Sequence, residues 1–148
     1  MATSNAATNY LERRLLNFLF KNNAAIGGVT FASPGDSIYV GLATAVSAAE
    51  TGSVTEASFG AYARQQVAAA SWTTIGADST DTQTAKNTSA IEFPAKSDSG
   101  NVTITHVIIA DASSSGNILF VGALDASKTL AQNDIFRINA TNLSIELK

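Results

Sequence analysis

Cysteine is absent from the 148 residues of this chain. That excludes disulfides, thiolate nucleophiles and every sulfur-ligated metal centre together. Histidine occurs once, as His106, and tryptophan once, as Trp72. Charge is scarce too: Asp, Glu, Lys and Arg make up 14% of the chain, against roughly 25% in an average globular domain. The nine Lys and Arg residues are scattered, with no basic run longer than Arg13-Arg14. The concentrated cationic patch that neutralises nucleic-acid phosphates is therefore missing, and the net charge of −3 and pI near 4.9 agree with that. The longest apolar runs, such as Val107 to Ala110, are far too short to span a bilayer. The start, Met1 to Thr8, lacks the basic-then-apolar pattern of a secretory signal. Neither a nucleic acid nor a membrane is an expected partner.

What is there is a chain that is 45% apolar, with Ser, Thr, Asn and Ala standing where charge would be. Its length suits one domain, large enough to remove roughly 70% of the unfolded chain's surface from water. Residues 1–9 are small and polar and read as an N-terminal arm; residues 10–148 read as a single domain that includes a helix over 10–21. Asn9 is placed to cap that helix, with Glu12 three positions on to complete a capping box. Leu11, Leu15, Phe18 and Leu19 recur at helical period, while Glu12, Arg13, Asn17 and Lys21 fall on the other side. Asn22-Asn23 and Gly27-Gly28 end it.

Beyond the helix the period changes to two. Ile38, Val40 and Leu42 alternate with Tyr39 and Gly41 after a Ser33-Pro34-Gly35-Asp36 turn. Val46 to Ser58 reads as a polar loop. Tyr62 to Trp72 reads as a strand pair or one bent strand, in which Ala68-Ala69-Ala70 could equally mark a short helical turn. Asp78 to Asn87 reads as loop. Strands follow at Ser89–Phe93, Val102–Ala110, Ile118–Leu124, Ile135–Asn139 and Leu143–Leu147, separated by Pro94, Ser99-Gly100, Ser113-Ser114-Ser115-Gly116-Asn117, Gln132-Asn133-Asp134 and Thr141-Asn142. Short strands between turn signals, with one helix at the front and no βαβ alternation, indicate an all-β antiparallel sandwich or barrel. In the last strand Leu143, Ile145 and Leu147 point one way and Ser144, Glu146 and Lys148 the other, so one face is buried.

The residues offer little chemistry. His106 lies in an apolar strand and reads as a partly buried histidine at a sheet margin, not as a base with an orienting carboxylate. Oxygen ligands for calcium are available from Asp78, Asp81, Asp98, Asp111, Asp125 and Asp134, but no calcium-loop pattern occurs. Neither phosphate-cradling glycine pattern is present. Glu50, Glu56, Glu92 and Glu146 could supply a carboxylate pair for glycoside chemistry, though no spacing favours one. Trp72 reads as a core anchor. The sequons at Asn87, Asn101, Asn139 and Asn142 matter only in a secretory pathway. The expectation is no enzyme, no catalytic residue, no cofactor and no metal.

Three features point to assembly. The helix with its arm can cover the β-domain or dock on a neighbour, with Tyr10, Leu11, Arg13, Arg14, Leu15 and Phe18 as contact candidates. Tyr62 and Arg64 belong to the residue types enriched at interface anchors, although Arg64 could equally pair with an acid at the rim. The low charge lets surfaces pack without a large desolvation cost.

In order along the chain, Leu11 to Phe20, Ile38-Tyr39-Val40-Gly41-Leu42-Ala43-Thr44, Tyr62-Ala63-Arg64-Gln65 with Trp72, and Asn87 leading to Ile91-Glu92-Phe93-Pro94 form a recognisable series. Val102-Thr103-Ile104-Thr105-His106, Asp111-Ala112, Gly116-Asn117-Ile118-Leu119-Phe120 and Leu143-Ser144-Ile145 continue it. With these pieces the chain resembles a family of small tailed-bacteriophage structural proteins, of head-decoration or tail-fibre-like type, over roughly Tyr10 to Leu147. The resemblance implies a virion component with a β-sandwich, jelly-roll-like body and no catalytic residues. It favours a capsid decoration (cement) protein on the outer capsid surface, with the major capsid protein and copies of itself as partners, a trimer ahead of a dimer. The alternatives are a tail-associated protein, fibre-like or minor, and a carbohydrate-binding β-sandwich.

Overall fold

A computed structural model describes residues 9–21, 25–26, 29–30, 38–73, 76 and 83–147. The N-terminal arm, the Ser33-Pro34-Gly35-Asp36 turn, the Asn22-Asn23 helix stop and Asp78 and Asp81 fall outside them, except that Asn9 is already helical. Along the chain come helix α1 (Asn9–Phe20) and strands β1 (Ala25–Ile26), β2 (Val29–Thr30), β3 (Ile38–Ala48), β4 (Ser53–Glu56), β5 (Gln65–Val67), β6 (Gln83–Lys86), β7 (Ile91–Glu92), β8 (Val102–Ala110), β9 (Ile118–Leu130), β10 (Arg137–Ile138) and β11 (Ser144–Leu147). Among the described residues every strand pairing is antiparallel. The fold is all-β with one N-terminal helix, as the sequence indicates. The chain divides into two compact units, one of Met1–Asp36, Ala68–Ala90 and Asn139–Lys148, the other of Ser37–Val67 and Ile91–Ile138.

In the first unit α1 packs on β6 and β11, which pair with each other from Ser144↔Lys86 to Leu147↔Gln83. The helix starts one residue earlier than expected, and its deepest side chains are Leu16 and Phe20, 0% and 1% exposed. The expected stripe of Leu15, Phe18 and Leu19 is only half-buried. The reason lies in the sequence: the doublets Leu15-Leu16 and Leu19-Phe20 give two apolar i, i+4 stripes one residue apart, and packing selects the one that carries Phe20. Phe20 meets Trp72 edge to face at 4.6 Å between centroids. Trp72 is 1% exposed, the core anchor expected of it. At the helix end Lys21 donates from Nζ to the carbonyls of Ala69 (3.2 Å) and Trp72 (3.0 Å), fastening a 3-10 turn at Ala69–Ser71. Gly27-Gly28, expected to help stop the helix, falls outside the described residues.

Asn87 is the polar centre of this unit. It is fully buried. Its amide donates to Ser89 O (2.7 Å) and Asn139 O (2.9 Å), and its Oδ1 accepts from the Leu143 N–H (2.9 Å). Its main-chain carbonyl accepts from the Thr141 N–H at 2.8 Å. One buried asparagine thus ties the main chain at Ser89 to the exposed 139–143 turn, with all its own polar groups satisfied.

In the second unit the sheet order is β4-β3-β8-β9, with β5 also on β3. β3 carries β5 along Ile38–Val40 and β4 along Ala43–Ala48. Val107, Ile108, Ile109 and Ala110 are buried at successive positions, so this part of β8 is covered on both faces. β7 and β10 pair separately. Phe59, Tyr62, Phe93 and Phe136 form a chain of ring contacts at centroid distances of 5.2, 6.2 and 5.9 Å. Lys96 is a further buried polar group, 2% exposed. Its ammonium donates to Asp98 O (2.6 Å), Asp98 Oδ1 (2.8 Å) and Ser99 O (3.2 Å).

Candidate functional site

Of the eight contact candidates, two come together. Tyr62 and Arg64 lie in the loop between β4 and β5, Arg64 just ahead of the strand and not within it. Both converge on Glu56, the last residue of β4. Tyr62 Oη accepts from the Leu42 N–H (2.9 Å) and donates to Glu56 Oε1 (2.7 Å). Arg64 donates from Nε to Oε1 (2.8 Å) and from Nη2 to Oε2 (2.7 Å), the two-pronged arrangement that a planar guanidinium makes with a carboxylate. Its Nη1 reaches two main-chain carbonyls, Ala112 and Ser115, both at 2.8 Å. Only 5% of the Arg64 side chain is exposed, against 30% of Glu56.

Gly41 makes this cluster possible. A Cβ at position 41 would sit 2.9 Å from both Tyr62 Oη and Ile108 Cγ1. The absent side chain is the space in which the tyrosine hydroxyl reaches the β3 backbone.

The electrostatics follow from burial and pairing. Burial alone would raise the Glu56 carboxyl, but hydrogen bonds from Arg64 and Tyr62, with the guanidinium charge, hold it below the usual carboxylate range. Burial pushes the Tyr62 phenol well up, and the Glu56 carboxylate adds to this. Glu56 in turn raises Arg64. The pair is ionised at neutral pH and the phenol is not.

Arg64 also organises the loop that joins β8 to β9. There Asp111 accepts from the Asn117 N–H and from its Nδ2, both at 2.7 Å, which keeps this carboxyl low. Ser115 and Gly116 are left-handed, with φ of 54° and 69°. At Gly116 an added Cβ would collide with Asp111 Oδ1 and Ala112 Cβ. The exposed Ser113-Ser114-Ser115 run is therefore held from both ends and from behind.

The remaining candidates lie on α1. Arg13, Arg14, Leu15 and Phe18 are half-buried; the side chains of Tyr10 and Leu11 fall outside the described residues. His106 is half-buried, with Nδ1 2.8 Å from Thr105 Oγ1. Among the described residues no group of three or more His, Asp or Glu side chains is placed to hold a metal ion. Among them, too, no helix is long and apolar enough to cross a membrane. Sequence reasoning missed Glu56, Gly41, Asn87 and Lys96 as organising residues. The adjacency of Tyr62 and Arg64 was the only available signal for the cluster, because its acid partner lies in a segment that reads as loop.

What the arrangement can do is hold a surface rigid; it brings no nucleophile and base together. No curated protein matches the chain. A family model does, over residues 6–146, and it is described as Podophage GP4 fiber I protein gp80. With nearly its whole length covered by that match, this chain belongs to the family of the podophage fibre protein gp80 and is a tailed-phage structural protein of fibre-like type.

Proposed function

We propose that the chain is a tail-associated, fibre-forming or fibre-attached component of the virion that works by binding other protein surfaces and carries out no reaction. The observation that carries this is the family match across residues 6–146. A clamped loop, a half-buried ion pair and a helix packed on its own sheet suit a rigid adaptor. The family description supports the tail-associated reading over a cement protein on the outer capsid surface, and over a carbohydrate-binding sandwich.

Copy number and position test it. A tail-associated protein is present in a few to tens of copies per particle and a decoration protein in hundreds, orders of magnitude set by tail against icosahedral symmetry. Gel densitometry of purified virions should give the lower figure, and an antibody against this chain should label the tail in electron micrographs. Label spread over the head, together with particles that release DNA at lower temperature once the protein is stripped, would instead establish cementing.

A further inference from the structure

The outer edge of the second unit's sheet is β9, whose only strand partner among the described residues is β8. Which of its main-chain groups stay open follows from the phase of the ladders. The Leu42 N–H donates to the Tyr62 hydroxyl and the Leu42 carbonyl accepts from the Ala57 N–H, so Leu42 points away from β8. Its partner Val107 therefore turns its own N–H and C=O towards β9. Further along, the Asp111 N–H donates to the Asn117 carbonyl at 3.2 Å, in the same phase. Opposite Val107 and Ile109 stand Gly122 and Phe120, whose main-chain groups these bonds occupy. Val121 and Ala123 alternate with them and direct N–H and C=O away from β8. The pairing is regular from Phe120 to Ala123; Leu124 to Ser127 bulge out and take no part.

Beside this edge lies a groove of about 260 Å³, lined by Ala49, Ile118, Leu119, Phe120 and Val121. None of the five side chains has a polar atom, so every hydrogen bond the groove offers comes from main chain. Leu119 is one of two large exposed apolar side chains among the described residues. A Cβ on Gly122 would meet nothing within 4 Å, so the space beside it is open to a neighbour's side chain. Ile118 to Ala123 has neither charge nor proline, the devices with which proteins ordinarily guard such an edge.

We infer that Phe120 to Ala123 is a docking edge for an extended, uncharged segment of another virion protein, which adds to the sheet as a strand beyond β9. Hydrogen bonds at Val121 and Ala123 supply the attachment, and the groove beside Ala49 takes one apolar side chain of the incoming segment. A charged side chain there would lose its water and meet no counter-charge, so the lining sets the chemistry of the partner. A second copy fits less well, because in it the same stretch runs straight into the Leu124–Ser127 bulge. The inference rests on the reading that the chain binds other protein surfaces, and it names the surface used.

Amide exchange tests it residue by residue. In the purified full chain Val121 and Ala123 should exchange fast and Phe120 and Gly122 slowly. In intact virions the segment holding Phe120 to Ala123 should slow by about tenfold or more. Val121→Pro removes an outward N–H without touching a β8 bond, and Ala49→Trp fills the groove from an exposed position. Each should lower the amount of chain on purified particles by about tenfold or more, while the purified variants melt like the parent. Slow Val121 and Ala123 amides in a monomeric parent would mean that its own chain covers the edge, which overturns the inference. Slowing that grows with concentration, with dimers in sedimentation, would assign the edge to a second copy and overturn it equally. So would variants that melt and incorporate normally, and an absence of slowing in virions overturns it whatever the variants do. Antibody labelling of the parent reads the tail assignment separately, so either conclusion can fail alone.

Discussion

Arg64 grips Glu56 with two hydrogen bonds of 2.8 and 2.7 Å and spends its remaining nitrogen on the carbonyls of Ala112 and Ser115. One side chain therefore joins the end of β4 to the β8–β9 loop, which lies 48 and 51 residues further along. Removing it leaves a half-buried acid with only the Tyr62 hydroxyl as donor and deprives two carbonyls of theirs. Arg64→Ala should cost about 2–3 kcal/mol, below the full figure for a buried pair because Glu56 is partly wet. Urea unfolding of the purified variant checks this, and amide exchange at residues 112–117 should quicken selectively.

Acid should act on the same contact. Glu56 has a folded pKa below its unfolded value near 4.5. Its contribution is therefore present above that value and disappears as pH falls through the folded one. Between about pH 5 and about pH 3 the native chain should lose more stability than Glu56→Gln, which has no carboxylate to protonate. Parallel slopes for the two in a melting series would rule out this role for Glu56.

Gly41→Ala should be more damaging than its size suggests. The new methyl meets the Tyr62 hydroxyl and Ile108 at 2.9 Å, and one of them must move. A cost of about 1–3 kcal/mol is expected for overpacking at a fully buried site. Combining it with Tyr62→Phe, which removes the oxygen, should recover part of the loss, and a double-mutant cycle would measure how much.

Asn87→Ala empties a fully buried site and removes the side-chain partners of the Ser89 carbonyl and the Leu143 N–H, while the Asn139 carbonyl keeps the Asn142 N–H. About 1–3 kcal/mol of destabilisation is expected, because water can reach the groups left at the exposed turn. Asn87→Asp should fare little better, since a carboxylate cannot donate to Ser89 and Asn139. Calorimetry of both variants distinguishes this from a simple loss of volume, which Asp would largely avoid.

On α1 the two apolar stripes should respond differently. Leu16→Ala should cost about 3 kcal/mol, in the range for a fully buried leucine, and Leu15→Ala clearly less because its side chain is already half in water. Equal losses in chemical denaturation would place the helix in a different rotation.

The sequence revealed strands wherever apolar residues alternate or run together. Val102 to Ala110 was legible to the residue, and Leu143 to Ile145 showed its buried face. It concealed strands whose inward positions are small or polar. β6 turns Gln83 and Ala85 inward, both fully buried, and nothing in Gln-Thr-Ala-Lys announces that. The β3–β4 hairpin beyond Ala43 is largely exposed, so Val46 to Ser58 lacks the contrast that marks a strand. The end of β9 escaped for the same reason. Among the contact candidates, Tyr62 and Arg64 were visible by type, but their shared partner was not, because pairing across a loop leaves no periodic trace. The family resemblance reached further than the patterning and led to the same structural family.

The chain contains five lysines, at positions 21, 86, 96, 128 and 148. The cage of oxygens around the buried Lys96 ammonium makes that one chemically silent, because an acylating reagent has no room to approach it. In a virion treated with such a reagent and digested for mass spectrometry, Lys128 should be modified early and Lys96 only after the fold opens, giving each particle a built-in record of its own denaturation.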